Sequence, residues 1–157
     1  MPTRSIKTHD DCLDFLTGLK LMGTGGGGSP TTGMEQLSKA LAEGLELSWV
    51  DVADLPDEVY SCTTFGSGSI SAGRPESEAE ISQLGQKLGL ENKFGFRAPE
   101  MAVRELAAYT GTQIGALVAV ELGASNTPAP LVTAARLGIS LVDGDYCLAD
   151  SSAIIHY

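Results

Sequence analysis

A chain of 157 residues, 43% of them apolar, supplies one domain with its own core and leaves no comfortable room for a second. Ten basic against twenty acidic residues give a net charge of −10, and no Lys/Arg cluster offsets it. That balance argues against nucleic acid and anionic membranes as partners.

The N-terminal stretch MPTRSIKTHDDCLDFL meets acidic residues before any long apolar run, so no signal peptide is expected. Residues 9–22 place Cys12, Phe15, Leu16, Leu19 and Met22 on one helical stripe, with Thr8 and Asp11 spaced as a capping box. Ser29-Pro30 then reads as an N-cap followed by a proline at the first helical position. Met34, Leu37 and Leu41 supply the stripe of this second helix and Gly44 its stop. LELSWVDV (45–52) and EVYSCTTF (58–65) are rich in β-branched and aromatic residues and read as strands. The helical grammar returns from Pro75 through Ile81, Leu84 and Leu88 to Gly89, and again from Pro99 through Met101 and Leu106 to Gly111. GALVAVEL (115–122) and GISLVDGD (138–145) are nearly continuous apolar runs that end in an acid, as strands covered by helices do. Between them a helix opens at Asn126/Thr127 with Pro128, runs through Leu131 and Ala135, and stops at Gly138. The order α-α-β-β-α-α-β-α-β favours an α/β fold, a three-layer domain with a small mixed or parallel sheet flanked by helices.

Cys12, Cys62 and Cys147 are odd in number and show no CxxC spacing, which reads as packed, reduced thiols rather than a disulfide frame or zinc site. The longest apolar stretch, ALVAVELGA, is interrupted by Glu121 and is far below membrane-spanning length. A soluble, cytoplasmic protein is the expectation.

LMGTGGGGSPTTG (21–33) is the most unusual segment, with Gly25, Gly26, Gly27 and Gly28 in a row before Ser29. A linker is excluded because only one helix precedes it and a helix start follows at once. Gly23 and Gly28 have the outer spacing of a Walker loop, but Ser29 stands where its lysine belongs. Gly23-x-Gly25-x-x-Gly28 matches the dinucleotide fingerprint, with Asp51 at a strand end about twenty residues on, yet the segment before it is helical rather than extended. A tight turn needing positive φ is the plain structural alternative. The loop ends at a helix N-terminus, where backbone N–H groups favour a polar or anionic group.

GTGGGGSPTTG, VDVADLPDE (50–58), FGSGSISAGRPESE (65–78), APEMA (98–102), ELGASNTPAP (121–130) and LVDGDY (141–146) occur in order. Together they resemble the N-terminal domain of the S-methyl thiohydantoin desulfurase family, over roughly residues 10–146. The resemblance implies a domain at 1–146 that, in the family, is followed by a second one. It also implies chemistry on five-membered cyclic amides such as thiohydantoins, and association with hydantoinase/oxoprolinase-like enzymes. Two departures stand out: Gly123-Ala124 replaces the family's Gly-Gly pair, and CLADSSAIIHY (147–157) replaces its Gly-Arg-Ala-x-Pro-Glu stretch. The tail therefore reads as divergent and the second domain as absent.

Glu121, Asn126, Asp143 and Asp145 fall at strand ends or in the loops behind them, where ligands collect in open α/β sheets. Asp143 and Asp145, two apart in an extended segment, can share a proton as general acid and base, or hold a divalent metal with Glu121 nearby. The plain alternative is that these acids cap turns, and Asn126 the helix after it. The expected catalytic set is thus Asp143, Asp145 and Glu121, and the expected substrate contacts are Gly25 to Gly28, Ser29 and Asn126. His9, His156 and Arg74 read as surface groups, Glu35 faces either the site or solvent, Cys62 lacks a base, and GSGS (66–69) is no nucleophile elbow. The leading expectation is a domain of a cyclic-amide enzyme with a small polar substrate. The alternatives are a non-catalytic module that binds a hydantoinase/oxoprolinase-like partner, and a nucleotide-binding domain. A homo-oligomer is compatible with all three.

Overall fold

The computed structural model describes residues 5–66, 78–89 and 98–146. The elements are β1 (Ser5–Ile6), α1 (His9–Met22), α2 (Pro30–Ala42), β2 (Leu47–Asp51), β3 (Tyr60–Cys62), α3 (Glu78–Lys87), α4 (Ala98–Thr110), β4 (Ile114–Ala119), α5 (Pro128–Leu137) and β5 (Ser140–Asp145). The domain is α/β, with one mixed sheet of strand order β1-β2-β5-β4-β3 flanked by helices. Strands β2, β5, β4 and β3 run parallel, and β1 joins β2 antiparallel with Ser5 opposite Ser48. β1 was not anticipated, because two residues are too few for any period to show.

The predicted helix signals work locally. Thr8 Oγ1 accepts from Asp11 N at 3.1 Å, and Asp11 Oδ2 accepts from the backbone N of Thr8 at 2.8 Å and of Lys7 at 2.9 Å. These bonds, first that from Lys7, hold the Asp11 carboxyl below its ordinary value of 3.8. Ser29 Oγ accepts from Thr31 N at 3.2 Å and Pro30 opens α2. Gly138 ends α5 at φ +68, a left-handed conformation that glycine adopts without a Cβ clash. One boundary differs: the strand predicted at 58–65 shortens to Tyr60–Cys62. Pro75, Arg74, Ser67 to Ser69, Cys147 and His156 lie outside the described residues.

Helix α5 packs on β2, β4 and β5, α2 and α4 pack on α5, and α1 packs on α2. Leu37, Leu47, Leu117 and Leu131 are fully buried where these layers meet, with Cys12 beside them. Each buried leucine contributes about 1.5–3 kcal/mol by leaving water. Cys12 and Cys62 are buried as expected, and that burial raises both thiols above their ordinary values, which keeps them unreactive. Arg136 on α5 pairs with Glu43 Oε2 at 2.9 Å and with Glu100 Oε1 at 3.3 Å, tying α5 to α4 and to the end of α2. Burial pulls its guanidinium down, but the bonds to the two carboxylates outweigh that and raise it.

Gly33 lets α2 approach the loop after β4: a Cβ there would collide with the Ala124 carbonyl oxygen and come within 2.8 Å of Leu16 Cδ2. Gly18 on α1 faces open space. Gly33→Ala is therefore expected to destabilise the fold by about 1–3 kcal/mol through overpacking. Gly18→Ala is expected to stabilise it by about 0.5–1 kcal/mol through helix propensity. Urea titrations of the two variants check the opposite signs. Because the folded Asp11 carboxyl is depressed, its contribution is present above the ordinary carboxyl value and disappears as pH falls through the lower folded value. Asp11→Asn is expected to flatten the acid limb of amide protection at the start of α1, measured by hydrogen exchange across pH 2–6, roughly the carboxylate range.

Candidate functional site

The carboxyl ends of β2, β4 and β5 open into a cleft of about 420 Å³, within the ~300–1,000 Å³ range of small-molecule sites. Phe15 and Leu19 from α1, Trp49 and Asp51 from β2, Ala119 and Leu122 from the end of β4, Thr127 before α5, and Leu141, Val142, Asp143 and Gly144 from β5 line it. Strand alternation explains the choice on β2: Trp49 and Asp51 turn into this cleft, while Ser48 and Val50 line a separate one at the opposite end of the sheet. Trp49 stacks on Phe15 with ring centroids 5.3 Å apart and planes inclined by 28°, which makes one wall flat and apolar. Asp51 and Asp143 are register partners on adjacent parallel strands, so two carboxylates rim the same opening. Asp51 Oδ1 also accepts from Ala53 N at 3.0 Å, which starts the 3-10 turn after β2.

Of the residues expected to form a site, Asp143 lines the cleft and is exposed. Asp145 is half-buried instead, and its Oδ2 accepts from Leu122 N at 3.1 Å, bracing the loop after β4. Asn126 donates from Nδ2 to Glu121 Oε2 at 3.4 Å inside that same loop. Asn126 does not cap α5; Thr127 occupies the N-cap position, and Pro128 follows. Among the described residues no three His, Cys, Asp or Glu side chains converge as metal ligands.

The glycine loop lies beside the cleft rather than in its lining. It joins α1 to α2, so no strand precedes it, and the dinucleotide reading lacks the element it requires. Gly27 and Gly123 meet backbone to backbone, and a Cβ on either would collide with the other's main chain. The Gly27 carbonyl accepts from Ser125 N at 2.9 Å and from Asn126 N at 3.2 Å. At Gly28, a Cβ would overlap Ser125 Oγ. Gly26 N donates to Gly23 O at 2.8 Å, closing the turn. Gly25, at φ +102, faces open space, and Ser29 serves as the α2 cap. The glycines thus fasten the α1–α2 connection to the loop that carries Glu121, Leu122 and Asn126. His9 is exposed at the start of α1 and Glu35 is exposed on α2.

The sequence marks Asp51 only as the acid of a dinucleotide fingerprint and does not mark Phe15, Trp49, Leu122 and Thr127 as cleft residues. Trp49 carried a usable signal: it is the single tryptophan, two residues before the acid that closes its strand.

The family model described as S-Me-THD-like, N-terminal domain matches residues 10–147, nearly the whole span of these elements. The chain belongs to that family. The S-Me-THD-like chain also resembles an X-ray crystal structure of a protein from Chromobacterium violaceum, at 22% identity with a TM-score of 0.59. That match covers 94% of this chain and 36% of the other, so this chain spans about a third of its length, and the likeness establishes the fold. No curated protein matches. No helix among the described residues is long and apolar enough to cross a membrane.

Asp145→Ala is expected to cost about 1–3 kcal/mol, because it strands the Leu122 N–H in a half-buried loop. Asp145→Asn, which retains an acceptor oxygen, is expected to cost less. Denaturant midpoints for both check the order.

Proposed function

We propose that this S-Me-THD-like domain supplies the substrate cleft of an enzyme that metabolises five-membered cyclic amides of the thiohydantoin and hydantoin type. The observation that carries this reading is a single cleft that joins a flat aromatic wall, Phe15–Trp49, to two carboxylates in register, Asp51 and Asp143. A planar ring of that size stacks on an indole, and its N–H groups seek an acceptor at the ring edge. Family membership supports the substrate class.

In this reading Asp143 accepts a ring N–H, or takes a proton from the water that attacks the ring carbon. Asp51 places a second carboxylate beside it on the adjacent strand, a second acceptor at the same opening. Glu121, Asn126 and Asp145 hold the loop after β4, and Gly27 and Gly28 hold that loop from the other side. In this reading the domain works beside further sequence, as in the Chromobacterium violaceum protein of which it spans about a third, and serves a hydantoinase/oxoprolinase-like partner.

Trp49 is the only tryptophan, so intrinsic emission reports on the cleft directly. Titration with hydantoin and 2-thiohydantoin is expected to quench it in a saturable way. Asp143→Asn is expected to weaken binding about tenfold, as the loss of a charged acceptor does. An emission spectrum unmoved by millimolar concentrations of both compounds would sink the reading.

A further inference from the structure

We propose that the Thr127 hydroxyl is a specificity-determining donor that reads a carbonyl oxygen of the ring, while Asp143 accepts the adjacent N–H. The cleft then recognises the cis-amide edge of a lactam by one donor and one acceptor. This rests on the cyclic-amide reading above and assigns to it a residue and a polarity.

Thr127 is only 6% exposed, and it is one of the residues that line the cleft. Its Oγ1 accepts from Gly123 N at 3.2 Å, which leaves the hydroxyl proton to be donated elsewhere. Among the described residues no acceptor takes that proton. Three helical threonines differ: Thr17, Thr110 and Thr133 each donate to the carbonyl four residues back. For Thr127 that carbonyl belongs to Gly123, and it takes the Thr127 backbone N–H at 3.1 Å but not the hydroxyl.

Nor is the side chain used as a helix cap. Ser29 and Thr8 cap the helices behind them, whereas Thr127 stands at the N-cap of α5 with φ −86 and ψ −42 and makes no such bond. A buried hydroxyl with an unspent proton on the wall of a cleft is worth a hydrogen bond to whatever enters it. Its own oxygen is fixed by Gly123 N, so the donor is oriented before a ligand arrives. A carbonyl oxygen is the acceptor that a lactam ring presents beside its N–H. The stacked Phe15–Trp49 wall confines the ring plane, so donor and acceptor must be met along the ring edge.

The test uses the 157-residue chain, Trp49 emission, and two probes, hydantoin and 1,3-dimethylhydantoin. Both probes keep the carbonyls, but only the first keeps the N–H groups. Thr127→Val is expected to weaken both about fivefold, the worth of one neutral hydrogen bond, and to preserve the ratio between them. Thr127→Ser, which keeps the hydroxyl, is expected to bind both as the unaltered chain does. Asp143→Ala, which removes the acceptor, is expected to collapse the ratio. A merely structural role for Thr127 would distort the cleft and lose the ratio together with the affinity. If Thr127→Val does not fold, Thr127→Cys, which keeps a weak acceptor for Gly123 N with a far weaker donor, must show the same parallel loss. The inference is overturned if hydantoin binds the unaltered chain and Thr127→Val or Thr127→Cys equally well, an outcome that leaves the cyclic-amide reading standing. Absence of any response in the unaltered chain overturns both.

Discussion

The contact between Gly27 and Gly123 is the constraint on which the rest depends. Two main chains approach there with no side chain between them, and a Cβ on either residue would drive them apart. The Gly27 carbonyl takes the backbone N–H groups of Ser125 and Asn126, donors that the turn entering α5 would otherwise leave without partners. Gly33 brings α2 against Ala124 of the same loop, and Asp145 brings β5 against Leu122. The glycine loop, helix α2 and strand β5 therefore converge on Leu122 to Asn126. That loop in turn contributes Leu122 to the cleft, with Thr127 just behind it.

The consequence for chemistry is rigidity at the right place. A parallel sheet offers its carboxyl ends to ligands, but the loops there are normally its most mobile parts. Here the loop is pinned from three directions, so the donor and acceptor groups around the cleft keep their separation without a ligand. Such preorganisation lowers the entropy that binding must overcome. Asp51 and Asp143, carried on adjacent strands rather than on loops, share the benefit.

Much of this was legible in the sequence because it is written in local terms. Thr8 with Asp11, Ser29 with Pro30, and Gly138 each act within four residues of themselves, and the capping geometry follows from their identities. The period of Cys12, Leu16 and Leu19 marks the buried face of α1 in the same way. The strand pairings were not legible: β2 lies next to β5, some ninety residues on, and no local pattern states that Asp51 stands opposite Asp143. Asn126 shows the reverse failure, for its residue type suits a helix cap and its tertiary partner, Glu121, claims it instead. Thr127 escaped notice because its significance lies in a bond it does not make.

Glycine richness was the loudest signal, and its physical meaning differs from its usual association. A phosphate-cradling loop turns successive N–H groups toward an open space at a helix start. In this loop one carbonyl is the group that does the binding, Gly26 N turns inward to Gly23, and the partner is another stretch of backbone. Positive φ at Gly27 and Gly28 serves the same end, for it aims the chain at Gly123 and Ser125, where no side chain fits. A protein of charge −10 has little reason to gather a phosphate, and the nearest ionisable groups on the cleft are carboxylates. The same sequence of glycines therefore reads as a clamp, and what it clamps is the loop that brings Thr127 to the cleft wall. Carboxylates and a hydroxyl line the cleft where an anion site would present N–H groups and lysine.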